Sequence, residues 1–341
     1  FIKPGDILIT TEAPVGEIAK VPGDQIYMIS RRVFALQVNE DLADETYIYY
    51  LLLTEGVLKY FESISHGATA PRIYKDEVLK LKIDLPELPT QKKTASILSA
   101  YDDLIENNNQ RIALLEEMAS EIYKEWFVRF RFPGYKEAVF LDKEGKEVAY
   151  GTKGAVPEGW ADGEIGDLVQ IKKGKNITAS TVEEGNVPVV AGGLTPAYYH
   201  STPNTIAPII TISASGANSG YVNIYYEPIW ASDCSFIDAK MTNILYFLFT
   251  TFKVRQKELF HLQRGAAQPH VYPKDIMSLK MNVPDDQLLK KFEHLINPFY
   301  EEIAVLTNKN QILQETRDLL LPRLISGKLS VEELEIEKIE K

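Results

Sequence analysis

Cysteine is almost missing: Cys234 is the single one among 341 residues. A disulfide framework is therefore excluded, no thiolate cluster is available for zinc, and the chain reads as one made for a reducing compartment, the cytoplasm. Long apolar runs are missing too. Nothing approaches the roughly 18 to 20 residues that a membrane span needs, so no membrane partner is expected. The N-terminal FIKPGDILITTEAP lacks the basic-then-apolar order of a signal peptide. Histidine is scarce, and His66, His200, His261, His270 and His294 fall at no metal-ligand spacing. Asp and Glu stand singly or along helix faces rather than in the clusters that hold Mg²⁺, and no nucleophile motif supports hydrolysis. No metal and no cofactor are expected. An excess of positive charge is also lacking: 37 Lys and Arg against 48 Asp and Glu leave a net charge of -11. That weighs against a protein living on phosphate contacts alone. Much of the acid lies in expected helices and in a tail carrying Glu332, Glu333, Glu335, Glu337 and Glu340, so a local basic face can coexist with the negative total.

What is present is an internal repeat. Slid by 198 residues, GATAPRIYKDEVLKLKIDLP (Gly67 to Pro86) lies over GAAQPHVYPKDIMSLKMNVP (Gly265 to Pro284), matching Gly67 with Gly265, Pro71 with Pro269, Tyr74 with Tyr272 and Leu81 with Leu279. At the same offset Ile105 lies over Ile303 and Leu115 over Leu313. With small shifts, TYIYYLLLT (Thr46 to Thr54) resembles TNILYFLFT (Thr242 to Thr250). Each unit reads as a strand-rich module followed by a long helix. The second unit opens at PEGWADGEIGDL (Pro157 to Leu168), about 50 residues before the point that corresponds to Asp6. The first therefore reads as shortened at its start.

Short apolar stretches bounded by Gly, Pro, Asn and Ser predict strands at Ile7 to Thr10, Val33 to Val38, Val187 to Val190 and Ile209 to Ile212. From Leu88 to Val128 a three-and-four spacing through Ile97, Tyr101, Leu104, Ile105, Asn108, Ile112, Leu115, Met118, Ile122 and Trp126 predicts one helical stripe. A second runs from Gln287 through Leu288, Phe292, Leu295, Phe299, Ile303, Leu306, Leu313 and Leu320, with a kink expected near Pro298. Helices of some 30 to 40 residues, about 45 to 60 Å, must be covered by a partner helix. Antiparallel pairing of the two would set the modules at opposite ends of a rod, about a pseudo-two-fold axis. Such symmetry suits a split DNA site.

Groups able to reach base edges or phosphates concentrate on loops. The module-end loop HLQRGAAQPHVY offers Arg264, Gln268, His270 and Tyr272, and its repeat counterpart offers His66, Thr69, Arg72 and Tyr74. SASGANSGYV offers Ser215, Asn218 and Ser219, IKKGKNI offers Lys172, Lys173 and Lys175, and AGGLTP offers Thr195. The plainer alternative for each is a solvated turn or hairpin. SASGANSGYV lacks the GxxxxGK[ST] spacing of a phosphate loop. The aromatic run Trp126, Phe127, Phe130, Phe132 reads as helix-end packing rather than base stacking.

The repeat, together with PEGW (Pro157 to Trp160), the Gly-x-x-x-Pro loop closing each module, IYKEWFVRFRFPG (Ile122 to Gly134) and TRDLLLPRLISGKL (Thr316 to Leu329), resembles the specificity subunits of Type I restriction-modification enzymes over nearly the whole chain. The resemblance implies an α+β fold in which two target recognition domains are separated by two long antiparallel helices forming a coiled-coil-like rod. On that pattern residues 1–86 form a partial first recognition domain, 87–150 a central helix and linker, 157–284 the second recognition domain, and 285–341 a C-terminal helix and acidic tail. It also implies double-stranded DNA as ligand, two methyltransferase subunits as partners, a restriction and translocation subunit in the larger complex, and no catalysis by this chain. The Asn/Asp-Pro-Pro-aromatic motif of an adenine methyltransferase is not in the sequence. Two alternatives stay open: a non-catalytic protein-interaction scaffold, and the specificity half of a single-chain restriction-methylation enzyme.

Overall fold

The computed structural model describes residues 2–23, 27–67, 69–265 and 268–331, so the acidic tail from Glu332 lies outside the described residues. In chain order the first repeat contributes β1 (Ile7–Thr10), β2 (Ile18–Lys20), β3 (Val33–Leu36), α1 (Glu45–Leu52), α2 (Glu55–Ser63), α3 (Lys75–Val78) and the long α4 (Leu88–Tyr123). A π-turn over Lys124–Val128 ends the central helix. After it come β4 (Phe140–Leu141), β5 (Glu147–Val148), β6 (Val156–Pro157), β7 (Ala161–Glu164), α5 (Ile165–Leu168), β8 (Lys172–Lys173), β9 (Val187–Val190), β10 (Tyr198–His200), β11 (Ile209–Ser213), β12 (Val222–Tyr225), β13 (Trp230–Ala231) and β14 (Cys234–Asp238). The second repeat closes with α6 (Leu245–Val254), α7 (Gln256–His261), α8 (Pro273–Met277), β15 (Lys280–Val283) and α9 (Asp286–Ile325). The 198-residue spacing survives folding: α3 and α8 start at Lys75 and Pro273, α4 and α9 at Leu88 and Asp286.

The chain divides into two compact units, 1–110 with 306–341, and 111–305. These limits cut through both long helices instead of setting them apart as a linker and a tail, because each module buries its apolar surface on a stretch of both. In the first unit β1 is central, antiparallel to β2 and β3, with Ile7 opposite Lys20 and Leu36. Its alternation puts Ile7 and Ile9 at 0% exposure, against Tyr47, Leu51, Phe61, Ile73 and Ala95. The two helices meet antiparallel: Asp102 faces Arg317, and further along Asn108 Nδ2 donates to Asn310 Oδ1 at 2.8 Å. Asn310 Nδ2 in turn donates to Asn109 Oδ1 at 2.8 Å.

In the second unit the main sheet runs β12-β11-β14-β8, with β11 buried along its whole length. β7 pairs with β15, Ala161 opposite Val283, so the ends of this module are tied to each other. An aromatic cluster seats the module on the helices: Phe127 lies 4.9 Å from both Phe247 and Phe292, and Trp126 lies 5.5 Å from Phe292. Trp160 packs on Phe130 at 5.3 Å. Arg111 on α4 pairs with Glu302 on α9 at 2.7 Å.

Of the expected stripes Ile105, Asn108, Trp126, Leu288, Phe292, Ile303 and Leu306 are buried. Leu104, Met118 and Leu295 are instead 54%, 50% and 42% exposed, whereas Leu98, Ala119, Tyr123, Ile296 and Tyr300 are buried. At those places the covered line lies one residue round, because the modules press on the helices as well as the helices on each other. The expected kink at Pro298 is not a break: α9 is unbroken from Asp286 to Ile325, the ring removing only one hydrogen bond from a helix held by burial on either side of it.

Helix capping differs between the repeats. Asp44 caps α1 by accepting from Tyr47 N at 2.9 Å. The corresponding α6 starts after Ile244, which has no side chain to offer. Glu293 on α9 replaces it, accepting from Tyr246 N at 2.9 Å and Phe247 N at 2.8 Å. Burial pushes the Glu293 carboxyl up to about 7, against the pull of those two N–H groups toward the charged form.

Two outcomes follow from these contacts. Glu293 holds a proton in the folded chain that the unfolded chain releases above about pH 4.5. Stability therefore falls as pH rises from about 4.5 through about 7, by roughly 3 kcal/mol at 1.36 kcal/mol per pH unit. Chemical denaturation across that range should show the slope in the wild type and not in Glu293→Gln. Asn108→Ala strands the Asn310 amide oxygen in the helix interface and should lower the unfolding free energy by about 1–3 kcal/mol, while Leu at both positions should restore it.

Candidate nucleic-acid interface

Both module-end loops are built to one plan. In the first unit His66 N donates to Arg72 O at 2.8 Å and Arg72 N to His66 O at 2.9 Å; in the second, Arg264 N donates to His270 O at 2.9 Å and His270 N to Arg264 O at 2.8 Å. The positions are 198 apart, but Arg and His have exchanged places across the neck. Gly67 and Gly265 turn the chain at φ +97° and +95°, and a Cβ there would lie 2.8 Å from Ala70 O and 2.9 Å from Gln268 O. Only glycine fits both the angle and the space. Thr69 and Gln268 are exposed beyond the necks. Tyr74 (52% exposed) and Tyr272 (40%) flank them, the His270 and Tyr272 rings stacked at 6.1 Å.

A hairpin loop lies beside each neck. Ile73 N donates to Thr11 O at 3.0 Å, and at the equivalent place Val271 N donates to Ala214 O at 2.9 Å. In the first unit Glu12 receives Arg72 through Nε at 2.9 Å and also through Nη2, and pairs with Arg32 at 3.0 Å. The Arg72 hydrogen bond holds the Glu12 carboxyl below the usual carboxylate range. Much of the Arg72 fork is therefore already engaged. In the second unit the loop joining β11 to β12 carries Ser215, whose hydroxyl bonds Asp233, and Gly216 N donates to Pro269 O at 3.1 Å. Asn218 is half-buried in the same loop.

Ser219 is corrected. It is 0% exposed, because Gly220 passes so close to Leu259 that a Cβ there would lie 2.8 Å from its carbonyl oxygen. The composition of a polar turn does not show which of its residues face the core.

The remaining candidates of the second unit belong to the same loop surface. Lys175 N donates to Ala231 O at 2.9 Å, Ser232 N to Val190 O at 2.8 Å and Ala214 N to Asp233 O at 3.2 Å, linking the lysine loop, the Thr195 loop and the hairpin. A Cβ on Gly192 would lie 2.6 Å from Ser215 O. Thr195 and Lys175 are exposed, and Lys175 Nζ lies 5.9 Å from the Trp230 ring centre. Lys172 and Lys173 are exposed on β8. As successive strand residues they point to opposite faces of the sheet.

Four carboxylates beside the loops were not among the sequence candidates: Glu12 and Glu77 in the first unit, Asp233 and Asp275 in the second. Glu77 Oε1 meets His66 Nε2 at 2.8 Å, and Asp275 Oδ1 meets Arg264 Nη2 at 2.5 Å. The signal was present in the repeat, where an acid stands over an acid. Glu12 and Asp233 come from loops outside the matched segment and carried none. Among the described residues no group of His, Cys, Asp and Glu is arranged to hold a metal, and no helix is long and apolar enough to cross a membrane.

A fold of paired strand-rich modules, each ending in the same polar loop ahead of a long helix, is that of a two-part recognition protein. The sequence profile of the Type I restriction modification DNA specificity domain matches residues 2–117 and 157–315, and the chain belongs to that family. The Type I restriction enzyme MjaIX specificity subunit of Methanocaldococcus jannaschii is 29% identical over 353 residues, covering 97% of this chain and 79% of its own length. The HindI specificity subunit of Haemophilus influenzae is 24% identical over 407 residues, covering 96% and 87%. The crystal structure of the Type I restriction-modification S subunit from M. genitalium shares the fold, with a TM-score of 0.56 at 17% identity over 95% of this chain and 83% of that one.

Alanine at Gly265 forces a side chain into a left-handed conformation against the Gln268 carbonyl. It should cost about 1–2 kcal/mol, read as a lowered urea midpoint. Gly216→Ala, at φ +79° but with open space around it, should cost less.

Proposed function

We propose that this chain reads DNA sequence as the specificity subunit of a Type I restriction-modification complex, each unit presenting its module-end loop surface to one half of a split site. The observation that carries the reading is the repeated neck: the same glycine-turned loop, 198 residues apart, with one Arg and one His exchanging both backbone hydrogen bonds. Arginine and histidine held on a short rigid turn suit base-edge contacts, since a bidentate Arg to guanine discriminates by about 1–3 kcal/mol. The long helices serve as docking surfaces for two methyltransferase subunits, and a restriction and translocation subunit joins the larger complex. The chain itself catalyses nothing. Its net charge of -11 is supportable because the methyltransferase partners supply much of the phosphate contact, the term that makes such binding salt-dependent. The compartment is the cytoplasm.

The test is to co-express the chain with its methyltransferase subunits and map the methylated adenines. A split motif with a constant gap is expected. Stable association without site-specific methylation would favour the interaction-scaffold reading instead, which the carboxylate pairing of Arg72 and Arg264 would then explain. Within the active complex, Arg264→Ala or Gln268→Ala should weaken binding to the cognate duplex by roughly 10-fold to 100-fold and binding to a scrambled duplex far less. Equal losses on both would contradict the assignment.

A further inference from the structure

Each neck carries an acid in the first turn of the short helix that follows it. Asp275 sits in α8 and Glu77 in α3, 198 residues apart. Each spends one oxygen on the basic side chain at the start of its loop, Arg264 or His66. Asp275 Oδ2 is buried without a hydrogen-bond partner among the described residues, whereas a backbone hydrogen bond from Tyr74 also helps hold the Glu77 carboxyl below the usual carboxylate range. The basic side chains themselves are open, Arg264 at 63% and His66 at 58% side-chain exposure, whereas Asp275 is at 10%.

Stability does not account for this arrangement. An ion pair with so exposed a cation adds little to folding, while a buried polar atom left without a donor costs free energy and calls for an explanation. Yet an acid at the same place holds the basic group at the start of the loop in both modules, although that group is His66 in one and Arg264 in the other. What the arrangement does achieve is orientation. The acid stands on a helical turn anchored by Ile276, which is fully buried, and Asp275 N donates to Tyr272 O at 3.0 Å. A side chain as long as arginine is thereby held by a rigid support from behind. Arg264 engages Asp275 through Nη2, while its side chain stays 63% exposed.

We propose that Asp275, and Glu77 at the equivalent place, are positioning residues that set base preference in their modules by holding Arg264 and His66 in one orientation toward DNA. This rests on the DNA-reading function above and adds to it a residue that touches no base. Preorganising the guanidinium lowers the entropy lost on binding the matched base, and gives no advantage at a mismatched one.

The experiment uses the full chain in complex with its methyltransferase subunits, probed with the cognate duplex and with duplexes altered one base pair at a time. Asp275→Asn should flatten discrimination at one base position by tenfold or more, leaving non-specific affinity and its salt dependence unchanged. Arg264→Ala should flatten the same position, and the double variant should add nothing further. A purely structural role would lower the melting temperature and leave the base ratios intact, which would overturn the proposal. So would loss of discrimination at a position that Arg264→Ala does not affect. If Arg264→Ala leaves every ratio unchanged in a complex that does discriminate, the positioning role fails and the specificity-subunit reading stands. A wild-type complex that discriminates nowhere overturns both.

Discussion

A 36-residue helix and a 40-residue helix cannot persist in water by propensity alone; their apolar faces must be covered, and everything else in the fold follows from how that is done. In each unit part of one helix lies antiparallel to part of the other, and the module of that unit packs over both. The first unit adds a buried polar pair to the seam, Asn108 against Asn310. These amides, with Asn109 accepting from Asn310, fix where the helices meet, since a shift of one turn would separate the buried pair. The second unit relies on rings: Tyr123, Trp126 and Phe127 from one helix and Phe292 and Tyr300 from the other surround the Phe247 side of its module.

The repeat preserves architecture more strictly than chemistry. The starts of α3 and α8 and of α4 and α9, the glycine turns and the neck hydrogen bonds keep their spacing to the residue, while the capping of α1 and α6 is achieved by different groups, a local Asp44 in one and a distant Glu293 in the other. Arg and His trade places across the neck in the same way. Backbone geometry permits few solutions at a left-handed turn, whereas a polar side chain needs only a partner of the right sign within reach. Two modules can therefore hold one scaffold and present different side chains from it.

Charge is managed locally. Arg72 is engaged by Glu12 and His66 by Glu77 in the first unit, and Arg264 by Asp275 in the second, so the loop surface of each unit consists of basic side chains with acidic supports. Such a surface offers directed donors with little long-range attraction.

The strands at Ile7 to Thr10 and Val187 to Val190, the extent of the central helix, the aromatic packing at Trp126 and Phe127, and the equivalence of the two module ends were all legible in the sequence. These depend on local periodicity and on a repeat that can be matched letter by letter. Leu104, Met118 and Leu295 were misread as covered, since a three-and-four pattern defines a stripe only to within a residue and the module pressing on the helix decides which edge is buried. Ser219 was misread as presented, because the fold of a loop over a neighbouring helix leaves no mark in its composition. The sequence by itself determined the repeat, the helices and the turn glycines, all governed by backbone sterics and hydrophobic spacing along a contiguous stretch. Only the tertiary structure decided which polar group Glu12 and Asp233 hold, because Glu12 with Arg72 and Asp233 with Ser215 are brought together across 60 and 18 residues by strand pairing, and contacts of that separation depend on the register of the sheet rather than on any local pattern.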